Sequence, residues 1–200
     1  DEYDNIKSVV NDYLKEGIAH TLDETRNLSD SGQFEDISLQ QGIRQILYPY
    51  EEMEVLNPEW EVILKDIIDS LFEQMSDEEY NILNEEFGTY MVSRAYEYRQ
   101  LLEYFVFRYF AKSIYDYDFL GKCQMLVTNF FVIRQMDIIR WLDNHREYSF
   151  KDRMDVVHIF SRQVEYSEDN IENLYEDFIF DDIFKTDSLI AILWIDSENI

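Results

Sequence analysis

The sequence predicts an all-α protein that folds as a helical bundle. Apolar residues recur mainly at three- and four-residue spacing, which is the period of a helix with one buried face. Only two prolines and five glycines interrupt the 200 residues, so long helices are expected. Hydrophobic residues make up 46% of the chain, and a chain of this length buries roughly 70% of its unfolded surface. We therefore expect a single helical domain over residues 1–200, with a possible N-terminal subregion at 1–86 and a core at 87–200.

Capping residues mark the starts of several helices. Asn57 precedes a proline, an order that places a cap before a proline in the first helical position. Ser76 lies three residues before Glu79, which is the spacing of a capping box. Ser149 and Ser167 mark two further starts. The predicted elements are helices at about 3–24, 38–49, 58–74, 77–86, 89–115, 119–143, 150–165 and 168–180, a flexible connection at 27–36 and a final helix or strand at 189–195.

Two of the predicted helices, 89–115 and 119–143, are apolar nearly all round over much of their length. Helices of this kind are typical of the middle of a bundle, where every side contacts other helices. The link between them, around Tyr117 and Asp118, is short, and short links join antiparallel neighbours. The sequence therefore predicts an antiparallel hairpin of two long, largely buried central helices.

The charge of the chain argues against some classes of ligand. There are 43 acidic residues against 17 lysines and arginines, and the formal net charge is -26. Nucleic acids and anionic membrane surfaces are bound by clustered basic residues, and no such cluster stands clear of acids in this sequence. The uncharged stretch at 123–133 is too short to span a bilayer, which takes about 20 residues. We therefore expect neither nucleic acid nor a membrane as a partner.

Residues that bind metals are scarce. Cys123 is the only cysteine, so neither an internal disulfide nor a cluster of thiolate ligands can form within this chain. The three histidines, His20, His145 and His158, are scattered, and none has a second ligand at a useful helical spacing. We therefore expect no metal site in this chain.

A narrow polar stripe follows the first of the two central helices. On a helical wheel its side chains fall within about 80° of one another. They are Tyr104, Arg108, Lys112 and Tyr115. A buried cation without a partner is strongly destabilising, so the stripe must meet an anionic group.

The sequence offers several partners for Arg108. We expect it to form an ion pair with at least one carboxylate, and the leading candidates are Asp116, Asp118 and Asp137. Replacing Arg108 with alanine would leave that carboxylate buried and unpaired, and we expect a loss of roughly 3–5 kcal/mol.

Two further pairs of opposite charge lie three residues apart. They are Arg134 with Asp137, and Arg162 with Glu165, and the spacing predicts ion pairs within each helix. The charged residues of both helices have two interpretations. They are bridges that fix the register of the helices, which we favour, or they line a ligand pocket.

Three stretches of the sequence, in this order, carry a family resemblance. They are YFVFRYFAK at 104–112, continued by YDYD at 115–118 and GK at 121–122; VIRQMD at 132–137; and FSRQVEYSEDN at 160–170. The last is similar to a Ser-Arg-x-(Ile/Val)-Glu-His-Ser-x-x-Asn pattern, with Tyr166 in the position of the histidine. Together they resemble the C-terminal half of flagellin lysine-N-methylases, and the similarity is concentrated in residues 95–175.

The resemblance implies a bacterial, cytoplasmic protein-lysine N-methyltransferase. Its partner would be flagellin or another lysine-bearing protein, and its methyl donor would be S-adenosylmethionine. It also implies an iron–sulfur cluster held by cysteines of an N-terminal segment that precedes this chain. We expect this chain to be the C-terminal part of a longer protein, to bind no cofactor by itself and to be inactive alone.

The resemblance also gives the polar stripe a role. Methyl transfer to lysine needs a neutral amine held in line with the methyl donor by aromatic and carboxylate groups. The catalytic candidates are Tyr104, Tyr115, Asp116 and Asp118, and the candidates for binding the cofactor are Arg108, Lys112 and Arg134. The alternative function is that of a non-enzymatic, acidic helical module that binds a protein partner.

Overall fold

A computed structural model of the protein describes residues 37–198, and all of its regular structure in that range is helical. The α-helices are α1 (Leu39–Glu51), α2 (Pro58–Ile67), α3 (Asp77–Met91), α4 (Ala95–Tyr109), α5 (Ser113–Asp116), α6 (Phe119–Asp143), α7 (Phe150–Phe160), α8 (Glu168–Phe180) and α9 (Thr186–Glu198). Wider π-helical turns continue α2 over Ile68–Glu73 and α7 over Ser161–Glu165. The all-α bundle is confirmed, whereas the predicted helix 3–24 and the connection 27–36 lie outside the described residues.

The capping residues begin their helices as predicted. The side chain of Asn57 accepts a hydrogen bond from the backbone N–H of Glu59 at 3.2 Å. Ser76 and Glu79 form the expected capping box at the start of α3. Ser149 forms a second capping box at the start of α7, and Ser167 caps α8. These local hydrogen bonds satisfy backbone donors that have no partner within the helix.

Helix α6 lies at the centre of the bundle. It packs against α1, α2, α4, α7 and α8. Its side chains are buried on nearly every side from Met125 to Trp141, including Phe131, Val132 and Ile138, which have no exposed surface. The prediction that 119–143 forms a buried central helix is confirmed.

The predicted helix 89–115 differs from the structure in two respects. Helix α3 continues through Gly88 to Met91, and a 3-10 turn at Val92–Arg94 separates it from α4. Helix α4 buries only one face, and on its outer face Phe107 is 83% exposed. The expectation that this helix is largely buried is therefore wrong. Apolar composition does not distinguish a ring in the core from a ring in an exposed aromatic face.

Helices α4 and α6 run antiparallel, as predicted. The rings of Phe110 and Phe119 lie 5.1 Å apart near the link, and those of Tyr98 and Phe130 lie 5.5 Å apart farther along both helices. The link turns at Tyr117, whose φ of 58° is in the left-handed region.

The C-terminal segment forms helix α9, so the helical alternative for 189–195 is the correct one. Leu189 and Ile192 of α9 are buried. A Cβ atom at Gly42 of α1 would lie 2.9 Å from the side chain of Ile192, so the two helices meet where α1 has no side chain. None of the helices in residues 37–198 is long and apolar enough to cross a membrane.

Candidate functional site

The Glu165 cluster joins the first and third signature stretches. It consists of Glu165, Tyr104, Arg108 and Tyr109. The hydroxyls of Tyr104 and Tyr109 each donate to the Glu165 carboxylate at 3.0 Å. Arg108 Nε lies 3.7 Å from Glu165 Oε1. Glu165 is buried, whereas Tyr104 and Arg108 are partly exposed, so solvent molecules or a ligand can reach one side of the cluster.

The tyrosines of this cluster act as hydrogen-bond donors. Burial raises the pKa of Tyr104, and the negative charge of Glu165 raises it further. The pKa of Tyr109 is raised by the same two causes. Both hydroxyls are therefore protonated at neutral pH, and they donate to a carboxylate that has little contact with water.

The partner of Arg108 differs from those predicted. Arg108 pairs with Glu165, and not with Asp116, Asp118 or Asp137. Because its side chain is 37% exposed and Glu165 keeps two tyrosine donors, we now expect Arg108→Ala to cost about 1 kcal/mol rather than 3–5. The predicted pair of Arg162 with Glu165 is also wrong, because both lie in the π-helical turn, where residues three apart do not stack as they do in an α-helix.

The two aspartates after α4 belong to a separate site. The Nζ atom of Lys122 lies 2.8 Å from Asp116 and 3.5 Å from Asp118. It also lies over the ring of Tyr175, 4.2 Å from its centroid. Lys122 is buried, so its charge is offset by these carboxylates and not by a ligand.

The rest of the predicted stripe is exposed. Tyr115 is 85% exposed, and Lys112 is exposed without an ion pair to any residue of 37–198. The stripe does not follow a buried helix, because the outer face of α4 and α5 contacts solvent. The structure therefore brings together Tyr104 with Arg108, and Asp116 with Asp118, but not all of the predicted site residues.

The Asp137 cluster is a second buried network, which consists of Asp137, Tyr98, Tyr148, Arg153 and Glu97. Asp137 has no exposed surface and accepts hydrogen bonds from Tyr98 at 2.7 Å, from Tyr148 and from Arg153. Arg153 also donates to Glu97 at 3.3 Å. Burial raises the pKa of Asp137, and the charge of Arg153 and the two hydroxyls act against this effect.

Arg134 does not pair with Asp137, contrary to the prediction. Its guanidinium donates to Asn84 Oδ1 at 2.9 Å and lies 3.6 Å from Asp196 of α9. Arg134 is buried, and its Nε and Nη2 atoms already donate to Asn84. This arrangement makes Arg134 a poor candidate for the carboxylate of a cofactor.

Two amides of the third signature stretch hold the connection between α1 and α2. Gln163 accepts from the backbone N–H groups of Leu56 and Asn57 at 2.9 and 3.2 Å. It donates to the carbonyl of Glu54 at 2.7 Å. Asn170 bonds both backbone groups of Glu54 at 3.0 and 3.1 Å. Both amide side chains are fully buried, and their contacts give them a structural role.

A cleft of about 630 Å³ lies between α2, α6 and α7. Its lining is largely charged and includes Glu59, Asp66, Arg140, Asp143, Asp155, His158 and Arg162. None of the residues predicted for catalysis or cofactor binding lines it. No group of three histidine, cysteine or carboxylate side chains that could hold a metal ion occurs in the part of the chain that the structure describes.

Sequence reasoning missed Tyr98, Tyr148, Arg153 and Glu97 of the Asp137 cluster, as well as Tyr109 of the Glu165 cluster. One signal was available, because Arg94 and Glu97 have the spacing of an ion pair and do pair at 2.8 Å. Nothing local marks Arg153, since its partners come from α4 and α6.

Comparison with known proteins identifies a family. Searches of curated proteins and of solved structures found no significant match. A match was found to the family described as the FliB lysine N-methylase C-terminal domain, and it covers residues 1–192. It thus extends through the N-terminal 90 residues, beyond the region that contains the signature stretches. The chain belongs to the FliB lysine N-methylase C-terminal domain family.

Proposed function

We propose that this chain is the C-terminal domain of a protein that methylates lysine side chains of flagellin or of a similar protein, with S-adenosylmethionine as the methyl donor. The observation that carries the proposal is the family match over residues 1–192. The Glu165 cluster supports it, because residues of two separate signature stretches meet there at a partly exposed position.

The Glu165 cluster has the groups that a lysine substrate needs. A lysine ammonium must lose a proton before its nitrogen can attack a methyl group. A carboxylate beside the amine is a suitable acceptor, and Glu165 is within hydrogen-bond distance of the partly exposed hydroxyl of Tyr104. In this proposal the proton passes through the Tyr104 hydroxyl to a Glu165 oxygen.

The cationic residues of the stripe differ in how well they fit the cofactor. S-adenosylmethionine supplies an electrophilic methyl group. Its carboxylate would bind to a cationic side chain that is accessible from solvent. Arg108 and Lys112 meet this requirement, whereas Arg134 is enclosed by Asn84 and Asp196. We therefore assign the carboxylate to Arg108, with Lys112 as the second candidate.

The remaining catalytic candidates rank below Tyr104. Asp116 and Asp118 already pair with Lys122, so either would have to leave that ion pair to bind an amine. Tyr115 is exposed and could serve only if a further segment covers it. These residues remain proposals for orienting the substrate.

The proposal is tested on the full-length protein with labelled S-adenosylmethionine and flagellin. We expect label on lysine with the wild type and a loss of about 100-fold or more with Glu165→Gln, because a positioned general base contributes about that much. The loss should fall on kcat more than on KM. Thermal unfolding of the same variant separates a catalytic from a structural role.

The matched control is Glu103→Gln, which alters an exposed carboxylate of α4 that pairs with Arg99 at 2.9 Å. It should transfer label at the wild-type rate. Transfer by Glu165→Gln at the wild-type rate would remove Glu165 from the chemistry. If the intact wild-type protein carries its iron–sulfur cluster and still transfers no label, the methylase function itself is contradicted.

The alternative function is binding of a protein partner without catalysis. The exposed aromatic face of α4 and α5 favours it, since Phe107, Ile114 and Tyr115 are all more than 70% exposed. Contiguous exposed apolar side chains often mark sites of protein interaction. This function becomes the better one if the full-length protein binds flagellin and transfers no label.

A further inference from the structure

Two arginines of the described chain lack the ion pair that the others form. Seven of the arginines in residues 37–198 pair with a carboxylate: Arg44, Arg94, Arg99, Arg108, Arg134, Arg146 and Arg153. Within the same residues, Arg140 and Arg162 form no ion pair.

Both arginines line the same cleft, the one between α2, α6 and α7. Arg140 comes from α6, and Arg162 comes from the π-helical turn after α7. The cleft volume of about 630 Å³ is in the range of sites that bind small molecules. The two arginines that have no ion pair within residues 37–198 therefore line one cavity, and they do not lie at scattered surface positions.

One donor of the Arg140 guanidinium has no acceptor among residues 37–198. Its Nε atom is enclosed and has no hydrogen-bond partner in the described chain. It interacts electrostatically with Asp152, but both oxygens of that carboxylate accept hydrogen bonds from Asn144 and Ser149. Because Arg140 lines the cleft and forms no ion pair within residues 37–198, the outer part of its guanidinium can bind an external carboxylate.

The cleft also contains carboxylates that limit what it can bind. They are Glu59, Asp66, Asp143 and Asp155, and of these Asp155 pairs with Lys151. These charges would repel a ligand that carries only negative charge. A ligand with a carboxylate and a nearby ammonium group would satisfy both the arginines and the acids of the cleft that form no ion pair within residues 37–198.

We propose that this cleft binds the zwitterionic group of an amino acid. Arg140 and Arg162 hold its α-carboxylate, and Asp66 and Asp143 face its ammonium group. The inference rests on the charges of the cleft and does not depend on the proposed function. Label transfer and ligand binding in the cleft are measured separately. A negative result in one measurement therefore does not contradict the other proposal.

The experiment follows the side-chain Nε–H signals of the arginines by NMR while the chain is titrated with L-methionine. We expect saturable shifts of Arg140 and Arg162. Acetate and methylamine, which each carry one of the two charges, should bind at least about tenfold more weakly than L-methionine. L-lysine is titrated in parallel to learn whether the side chain matters.

Variants locate the site. Arg162→Gln is expected to weaken L-methionine binding by about tenfold or more, because a charge-assisted hydrogen bond is lost. Arg140→Gln should weaken binding to a similar extent. If Arg140→Gln fails to fold, the Arg162→Gln variant still tests the site, because Arg162 is exposed. Arg146→Gln is the control, since Arg146 is exposed near the end of α6 and pairs with Glu86 at 2.8 Å.

Two results with the wild type, and one with a variant, would overturn the proposal. One is the absence of a saturable shift with either amino acid. The other is acetate binding as tightly as L-methionine, which would reduce the cleft to a general anion site. Unchanged affinity in Arg162→Gln with a folded protein would place the ligand elsewhere.

Discussion

Arg153→Ala is expected to lower the free energy of unfolding by about 3–5 kcal/mol, because it leaves the buried carboxylate of Asp137 without its cation and Glu97 with Arg94 alone. Asp137 has no exposed surface, and Glu97 is buried beside it. Both accept hydrogen bonds from the guanidinium of Arg153. For a chain of this size the loss corresponds to a decrease of roughly 6–20 °C in Tm.

The measurement is thermal unfolding of the wild type and the variant at neutral pH. Arg99→Ala is the matched control, because Arg99 pairs with Glu103 on the exposed face of the same helix that carries Glu97. Exposed pairs contribute about 1 kcal/mol at most, so the control should unfold near the wild-type temperature. Equal Tm values for the two variants would show that the Asp137 cluster does not hold the fold together.

Gln163→Ala is expected to cost about 3–5 kcal/mol, since it removes a hydrogen bond from three backbone groups, of which the two N–H donors lose their acceptor and the carbonyl keeps Asn170 as a donor. Those groups are the N–H of Leu56, the N–H of Asn57 and the carbonyl of Glu54. The connection between α1 and α2 would lose its attachment to the turn after α7. Denaturant unfolding measures the change, and hydrogen exchange of residues 54–57 should accelerate.

Gln41→Ala provides the control for this substitution. Gln41 lies in α1 and its side chain is exposed, so the change in stability should stay within about 0.5 kcal/mol. Retention of slow exchange at Leu56 and Asn57 in Gln163→Ala would contradict the proposed role of the amide.

The helices were predictable from the sequence because their signals are local. The capping boxes at Ser76 and Ser149 involve residues three positions apart, and the structure contains both. The burial of α6 followed from apolar residues on every side of one helix. These features depend on residues that are close in sequence, so they can be predicted without knowledge of the tertiary structure.

The ion pairs were less predictable because each carboxylate selects a partner from another element. Asp137 of α6 pairs with Arg153 of α7, although Arg134 lies three residues away in sequence. Glu165 contacts three side chains from α4, and not Arg162 of its own turn. Sequence spacing shows which charges can meet, but the packing angles of the helices decide which ones do.

The exposed face of α4 shows a second limit of sequence patterns. Phe107 is as hydrophobic as Phe105, yet Phe105 is buried and Phe107 is exposed. A helix with apolar residues on both faces gives no periodic signal for choosing between them. Identifying the outer face required the positions of the neighbouring helices.

The enclosed tyrosine hydroxyls make the protein sensitive to alkali. Burial, as the largest cause, raises the pKa above the ordinary 10.0 in Tyr50, Tyr80, Tyr98, Tyr109 and Tyr148. Below pH 10 these groups are protonated in both states. Above it only the unfolded chain ionises, so each group lowers the free energy of unfolding by about 1.4 kcal/mol per pH unit.

Five such groups together remove about 7 kcal/mol per pH unit, which is comparable to the whole stability of a typical domain. We therefore expect alkaline denaturation in one cooperative step at a pH between about 10 and 12. Loss of helical circular dichroism and the appearance of tyrosinate absorbance should coincide. Tyrosinate that forms for these five groups while the helices persist would show that their hydroxyls are open to solvent.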